Sequence, residues 1–273
     1  SAKNIFGCNN INGAPQCSPV TVNVTGGTVS ESVYGGGLAA DYEGNVSVQV
    51  NGAGTVINGN VYGGGLNGSV VGTTTVVIGT PSGDAVKVNN VFGAGKGETS
   101  DVNGQTYVTV ESGTVKGSVY GGAELGTINK GSSNYNGQAA TVRLNGGTVK
   151  NNVYGGGKLG VSVGQTIVNV DGARIENNVF GGAQGGVGCE ILVAGLKTVN
   201  VSKGTIIGDI YGGSENAVDA NLLINEEHEG LEGDNGLYAL LDALADDVKG
   251  KSTIFVNMYG GRVYQNIYGG GFM

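Results

Sequence analysis

One motif recurs along almost the whole chain, and this repetition limits the possible folds more than any other feature. Clear copies are TVNVTGGTVSESVYGGG (21–37), VRLNGGTVKNNVYGGG (142–157) and VNVDGARIENNVFGG (168–182). They share the pattern Val-x-Val, a turn, Gly-x-Val, a second turn, and Asn-Val-Tyr-Gly-Gly. Self-similarity at a period of this length is typical of solenoid proteins. We therefore interpret residues 1–273 as a single domain of about eight coils.

The aromatic residue of the motif marks the period. It recurs at intervals of 26 to 34 residues until the last interval, which an insertion lengthens to 57. The marks are Phe6, Tyr34, Tyr62, Phe92, Tyr120, Tyr154, Phe180, Tyr211 and Tyr268. Because glycine, at 56 residues, is interleaved with Val, Ile and Tyr in a fixed order, its abundance does not indicate disorder.

The pattern within each copy predicts short strands and tight corners. Alternating β-branched residues form a strand with one buried face, and glycines permit close backbone approach and positive φ at the turns. No single copy can bury its apolar face, so each strand must pair with its equivalent in the next layer. The fold class predicted is all-β, a right-handed parallel β-helix or β-solenoid. Short segments with apolar residues in the linkers, at 66–70 and 125–128, indicate a third strand per coil.

At two positions of the repeat, the same kind of residue recurs in every copy, which predicts two ladders of side chains along the solenoid axis. The residue two before each aromatic is Asn, Ser or Asp, from Asn4 to Asn266, and such side chains can hydrogen-bond along the stack. Each aromatic directly follows Val or Ile, so the two residues should face opposite sides of the strand. We assign Val and Ile to the core and the aromatics to the outer face or a corner, stacked as a structural ladder. Since Phe replaces Tyr in three copies, the hydroxyl should not be essential.

Residues 214–251 interrupt the array before its last copy. Within them Leu237, Leu240, Leu241, Leu244 and Val248 have helical spacing, which predicts a short amphipathic helix at about 236–249. Residues 215–251 contain ten acidic residues and two Lys, so they account for the whole formal charge of −8. This helix is expected either to pack on the solenoid flank or to bind a partner.

Composition argues against several functions. A neutral scaffold with one acidic insertion lacks the basic patches that nucleic-acid binding requires. No apolar run approaches the ~20 residues of a membrane span, so no membrane insertion is expected.

Cys8 and Cys17 flank a short loop and can form a disulfide in an oxidising compartment, or remain two thiols.

Catalytic and cofactor motifs are not found. The single histidine, His228, excludes multi-histidine metal sites, and residues 93–97 lack elements of a phosphate-binding loop. We therefore predict no cofactor and no enzymatic activity. A β-helix polysaccharide lyase or glycoside hydrolase remains the alternative, because such active sites can be assembled from different coils.

The linker after Tyr-Gly-Gly varies between copies and is the candidate binding region. It contains Tyr42, between Asp41 and Glu43, and Tyr135, between two asparagines. An exposed aromatic ring beside hydrogen-bonding side chains is a suitable platform for a sugar ring. The alternative interpretation is that both tyrosines only pack their loops.

Residues 4–15 (NIFGCNNINGAP), 26–37 (GGTVSESVYGGG) and 146–157 (GGTVKNNVYGGG) resemble the Gly-rich repeats of large surface or secreted adhesin-like proteins of gut Bacteroidales. This resemblance implies export with the leader already removed, an extracellular or cell-surface location and an attachment role. Both termini cut through the array, so we expect a longer parent chain with flanking domains. The preferred function is a noncatalytic scaffold that binds glycan or a surface protein, and a structural stalk is a further alternative.

Overall fold

A computed structural model describes residues 1–13, 19–130, 137–186, 191–220 and 252–272. Within these ranges the chain is all-β, without helix. In chain order the strands are β1 (Ile5–Phe6), β2 (Val20–Val24), β3 (Thr28–Val29), β4 (Val33–Tyr34), β5 (Tyr42–Glu43), β6 (Val46–Val50), β7 (Val56–Ile57), β8 (Val61–Tyr62), β9 (Val70–Val71), β10 (Thr74–Ile78), β11 (Lys87–Val88), β12 (Val91–Phe92), β13 (Thr106–Val110), β14 (Thr114–Val115), β15 (Val119–Tyr120), β16 (Gln138–Leu144), β17 (Thr148–Val149), β18 (Val153–Tyr154), β19 (Ser162–Val163), β20 (Gln165–Ile175), β21 (Val179–Phe180), β22 (Leu192–Ala194), β23 (Lys197–Ile206), β24 (Ile210–Tyr211), β25 (Val218–Ala220), β26 (Ile254–Met258), β27 (Arg262–Val263) and β28 (Ile267–Tyr268).

The strands stack into parallel sheets that run along one axis. The motif sheet contains the Val-Tyr or Val-Phe strands in the order β1-β4-β8-β12-β15-β18-β21-β24-β28. The long sheet begins β2-β6-β10-β13-β16-β20, continues through β23 to β26, and includes the short Gly-x-Val strands. Short third strands form the pair β5-β9 and the set β19-β22-β25. The predicted parallel β-solenoid is therefore confirmed.

Equivalent residues of successive coils lie directly over one another. Val76 pairs with Val108 and Val108 with Val142, and all three side chains are fully buried. The third face continues between its strands through single bridges that join Val70, Val102, Ile128 and Ser162. One continuous Val- and Ile-rich core thus fills the interior, as expected when no coil can bury its apolar face alone.

The glycine after each aromatic residue from Phe6 to Tyr211 is required by close contact with the next layer. A Cβ atom on Gly155 would lie 2.2 Å from the Gly181 carbonyl oxygen, and one on Gly93 would lie 2.0 Å from that of Gly121. These glycines do not have positive φ. The motif glycine is therefore fixed by the spacing of stacked backbones rather than by an unusual turn conformation.

The column of Asn, Ser and Asp residues forms a ladder between side chains and backbone. In each layer the side-chain oxygen accepts a hydrogen bond from the backbone N–H of its equivalent in the next layer. For example, the Asn90 N–H donates to Asn60 Oδ1 at 3.1 Å, and the Asn178 N–H donates to Asn152 Oδ1 at 3.0 Å. The same bond joins every pair of neighbours from Asn4 to Asn266. The position needs an acceptor oxygen, which Asn, Ser and Asp all provide.

This ladder predicts different effects for two substitutions at one position. Asn152→Ala should lower the free energy of unfolding by about 1–3 kcal/mol, because the Asn178 N–H loses its acceptor. Asn152→Ser should lose less, since Ser118 already fills this role one layer earlier. Both variants lose the hydrogen bond that Asn152 Nδ2 donates to the Tyr154 hydroxyl, so the difference between them reports the acceptor oxygen. Urea unfolding of both variants measures the difference. Equal losses would show that the acceptor oxygen is not what the position requires.

Several sequence predictions concern residues that lie outside the described ranges. The helix at about 236–249 lies in the part of the insertion that is not described, as does His228. Cys8 Sγ lies 3.6 Å from the Gly35 carbonyl oxygen, whereas Cys17 is outside the described ranges, so the disulfide stays a prediction. Among the described residues, no helix has the length and apolar character needed to cross a membrane.

Candidate functional site

The structure does not support the sugar platform predicted around Tyr42. Tyr42 is only 1% exposed, and it belongs to the core, where its strand pairs with Val70. Its ring therefore presents no face to a ligand, and the prediction of an exposed Tyr42 is wrong. Asp41 and Glu43 are exposed, and Asp41 Oδ1 accepts a hydrogen bond from the Ser69 N–H at 2.7 Å. Tyr135 lies outside the described residues.

The aromatic residues of the motif form one continuous stack. Neighbouring ring centroids from Phe6 to Tyr268 are 4.5 to 4.9 Å apart, and the rings are within 12° of parallel. The stack is a hydrophobic cluster separate from the Val and Ile core. However, the rings from Tyr34 to Tyr211 are buried. Of the two expected positions, the outer side of the solenoid or a corner, the first is therefore wrong. They form a second core along the solenoid.

A row of longer side chains, here called the cover row, lies beside this stack. Its members stand four residues after each aromatic and include Leu66, Lys96, Glu124, Lys158, Gln184, Glu215 and Phe272. Single bridges join consecutive members from Lys96 to Phe272. Glu124 also pairs with Lys158, with the Nζ and Oε1 atoms 3.3 Å apart. Glu215 accepts a hydrogen bond from Gln184 at 3.1 Å, so the carboxylates of the cover row already have partners within the row.

The cover row accounts for most choices between Tyr and Phe. The Tyr62 hydroxyl donates to Glu124 Oε2 at 2.5 Å, and the Tyr120 hydroxyl donates to Gln184 Oε1 at 2.7 Å. Tyr154 donates to Glu215 in the same way. Each acceptor lies two layers further along. The cover residues two layers beyond Phe6, Phe92 and Phe180 are Leu66, Lys158 and Phe272, which offer no acceptor. Tyr34, with Lys96 as its counterpart, does not follow this rule, and the Tyr211 hydroxyl donates instead to Asp209 at 3.3 Å.

Burial changes the acidity of these hydroxyls. Desolvation, reinforced by the hydrogen bond to Glu124 or Glu215, raises the pKa of Tyr62 and of Tyr154 far above its ordinary value. Burial also raises the pKa of Tyr120 to about 12. A raised folded-state pKa stabilises the fold fully below the unfolded value of about 10, and this stabilisation is lost as pH rises through the folded pKa.

We therefore expect alkaline unfolding to be steep and to coincide with tyrosine ionisation. Above about pH 10, each of Tyr62 and Tyr154 should contribute about 1.4 kcal/mol of lost stability per pH unit. Replacing both with Phe should make the pH dependence shallower by about twice that amount. Tyrosinate absorbance and circular dichroism, recorded together during titration, measure this. Ionisation of all twelve tyrosines near pH 10 with the fold intact would contradict the expectation.

The buried side chain of Lys197 contacts residues that lie before and after the part of the insertion outside the described ranges. Lys197 Nζ lies 2.7 Å from the Val193 carbonyl oxygen, 2.9 Å from Ser252 Oγ and 3.5 Å from Asp219 Oδ1. Desolvation lowers the pKa of Lys197 to about 8, opposed by the charge of Asp219. Ser214 donates from both N–H and Oγ to Asp219. Residues on either side of the insertion are thus held at one buried point.

Two outward positions in the Val-x-Val segments of the eight long strands form two parallel rows of side chains, and these two rows are here called the outer face. Its first row is Thr21, Ser47, Thr75, Tyr107, Thr141, Ile167, Thr198 and Phe255. Its second row is Asn23, Gln49, Val77, Thr109, Arg143, Asn169, Asn200 and Asn257. Most of these residues are exposed or half-buried, and Thr141 is covered by the side chain of Gln138. The pattern of the repeat did not single out this surface.

The outer face is uncharged except at one point. Arg143 is its only ionisable group apart from the Tyr107 hydroxyl, and neither row contains a carboxylate. The guanidinium carbon of Arg143 lies 5.7 Å from the centre of the Tyr107 ring. Further along, Asn257 Nδ2 donates to Asn200 Oδ1 and Asn200 Nδ2 donates to Asn169 Oδ1, both at 2.9 Å. The outer face therefore offers neutral hydrogen-bonding groups at each layer and a single cation.

The described residues contain no cluster of three or more His, Cys, Asp and Glu side chains that could hold a metal ion. Comparison with protein-family models, curated proteins and solved structures finds no match for this chain.

Proposed function

We propose that this protein is a noncatalytic, adhesin-like scaffold, exported to the cell surface, that binds glycan through the outer face. The observation that supports the proposal is the composition of that face. Thr, Ser, Asn and Gln side chains are held in register over eight layers, with one cation and no carboxylate. Such groups match the hydroxyl-rich surface of a carbohydrate.

The repeat spacing favours a polymer over a small molecule. Stacked strands are about 4.8 Å apart, so equivalent side chains recur at that interval along the axis. An extended polysaccharide lying along the outer face would contact several layers at once. Weak contacts at each layer would then add up, as in other multivalent binding. The stacked rings and the Asn ladder hold the layers at fixed positions, which lowers the conformational cost of binding.

Polysaccharide cleavage receives less support than binding. A glycoside hydrolase needs a pair of carboxyl groups facing the sugar, and the outer face provides none. In the cover row, Glu124 and Glu215 already accept hydrogen bonds from tyrosine hydroxyls. A structural stalk is the second candidate, favoured by the uninterrupted stack of rings. A binding site at Tyr135 stays a prediction, as does an acidic insertion that binds a surface protein.

A glycan array with purified protein tests the proposal. We expect binding to at least one polysaccharide, and Thr109→Glu should weaken it at least tenfold by placing a bulky charge in the second row. Thr114→Glu is the matched control, because Thr114 lies on a short strand of the same layer, outside the outer face. Absence of binding to any glycan would favour the stalk. Equal loss in both variants would remove the outer face from the proposal.

A further inference from the structure

We propose that Tyr107 and Arg143 form a subsite for a carboxylated sugar, such as a uronic acid unit of a polysaccharide. This inference rests on the proposed function and specifies the ligand class. It starts from the charge of the outer face. The insertion at 215–251 accounts for the whole formal charge of −8, and the two outward rows present no acidic side chain and one arginine. An anionic polymer would therefore find its matching charge at Arg143.

Arg143 is available for an anion. Its side chain is exposed, and among the described residues no carboxylate lies within ion-pair distance of it. In contrast, Arg174 pairs with Glu176 at 3.4 Å. The acidic residue after strand β13, Glu111, instead accepts a hydrogen bond from Asn145 at 3.0 Å. A guanidinium group presents donors in a planar fork that binds a carboxylate through two parallel hydrogen bonds.

Tyr107 provides an apolar surface beside that cation. Its ring is half-buried, and its hydroxyl donates to Gln105 Oε1, which fixes the orientation of the ring. The Arg143 guanidinium is 5.7 Å from the ring centre, close enough for a cation–π contact. The apolar face of a sugar ring can pack against a tyrosine while its polar groups point to neighbouring side chains. Tyr107 would thus bind the sugar ring, and Arg143 beside it would bind the carboxylate of the sugar.

The register completes the subsite with neutral partners. In the second row, Thr109 and Asn169 are the register neighbours of Arg143 on either side. Their hydroxyl and amide groups can hydrogen-bond the sugar hydroxyls of adjoining units. The carboxylate would therefore occupy one position within a longer, otherwise neutral contact along the axis. This arrangement predicts selectivity for charge at a single unit rather than for a highly charged polymer.

The test compares ligands that differ only in the carboxyl group. Isothermal titration calorimetry with oligogalacturonate and with its methyl ester measures the contribution of the charge. We expect the acid to bind at least tenfold more tightly than the ester. Arg143→Met should abolish this preference, Arg143→Lys should retain part of it, and Tyr107→Ala should weaken binding of both ligands. Arg174→Met alters an arginine that follows the Val-x-Val segment of β20 and belongs to neither row, so this variant should bind as the wild type does.

The possible outcomes separate this inference from the proposed function. Equal affinity for acid and ester, or unchanged selectivity in Arg143→Met, would overturn the uronate subsite while leaving glycan binding in place. A preference for a sulfated polysaccharide over oligogalacturonate would overturn the choice of a carboxylate. Failure to bind any glycan would overturn both. Thermal unfolding of each variant ensures that a loss of binding does not reflect a loss of fold.

Discussion

A Gly155→Ala variant is expected to lose about 3 kcal/mol or more of its free energy of unfolding. The added Cβ atom would lie 2.2 Å from the Gly181 carbonyl oxygen, a separation that real structures do not tolerate. The obstructing atom is backbone, and its coil is fixed by further coils on its other side. The layers must therefore separate or shift, with loss of stacking and of hydrogen bonds. Urea denaturation monitored by circular dichroism measures the loss.

The chain contains a matched control at the same position of the repeat. Gly269 follows Tyr268 in the last described layer, and a Cβ atom there meets nothing within 4 Å. Gly269→Ala should change the free energy of unfolding by less than about 1 kcal/mol. Similar losses at Gly155 and Gly269 would mean that the glycine is needed for its local conformation, and the explanation by layer spacing would then be incorrect.

Tyr154→Ala is expected to cost about 3–5 kcal/mol, as does removal of other buried aromatic side chains. Its ring is fully buried between those of Tyr120 and Phe180, each with a centroid 4.9 Å away. Tyr154→Phe should cost less, because the ring stays and only the two hydrogen bonds of the hydroxyl are lost, one donated to Glu215 and one accepted from Asn152. Val153→Asp should prevent folding, since it places a charge in the fully buried core.

Tyr268 provides the comparison for the stack, since its ring is 44% exposed and has a stacked neighbour on one side in the described structure. Tyr268→Ala should therefore cost markedly less than Tyr154→Ala. If Tyr154→Ala were tolerated as well as Tyr268→Ala, the stack would not be a second core. Because Val153 and Tyr154 are both buried, large losses are expected at both positions.

The sequence predicts the solenoid well because its information is local and periodic. Val-x-Val alternation and the Gly-Gly corners repeat with little change, and stacking is the only way to bury such short strands. The short apolar segments of the linkers also predict the third strand of each coil. The prediction that Tyr42 is exposed is wrong, although the linker sequences contain the information that it is buried. It is in register with Val70, and a bridge joins Val70 to Val102, so alignment of the linkers would have assigned Tyr42 to a buried column.

The cover of the aromatic stack was not predictable from one copy of the repeat. Tyr62 and its acceptor Glu124 are 62 residues apart, and the match appears only when residues two layers apart are compared. The choice between Tyr and Phe therefore looked random within each copy. The same holds for Tyr107 and Arg143, which approach each other only because β13 and β16 are stacked in register. Outward positions vary freely, so periodicity does not identify them.

A crystal structure that resolves the side chains tests the central claim most directly. We expect parallel coils in which the rings of Tyr34, Tyr62, Phe92 and Tyr120 stack with centroids 4.5 to 4.9 Å apart. Tyr107 and Arg143 should lie together on the outward side of the long sheet. Motif tyrosines dispersed over the surface, or antiparallel strands joined by hairpins, would contradict the fold and every inference drawn from it.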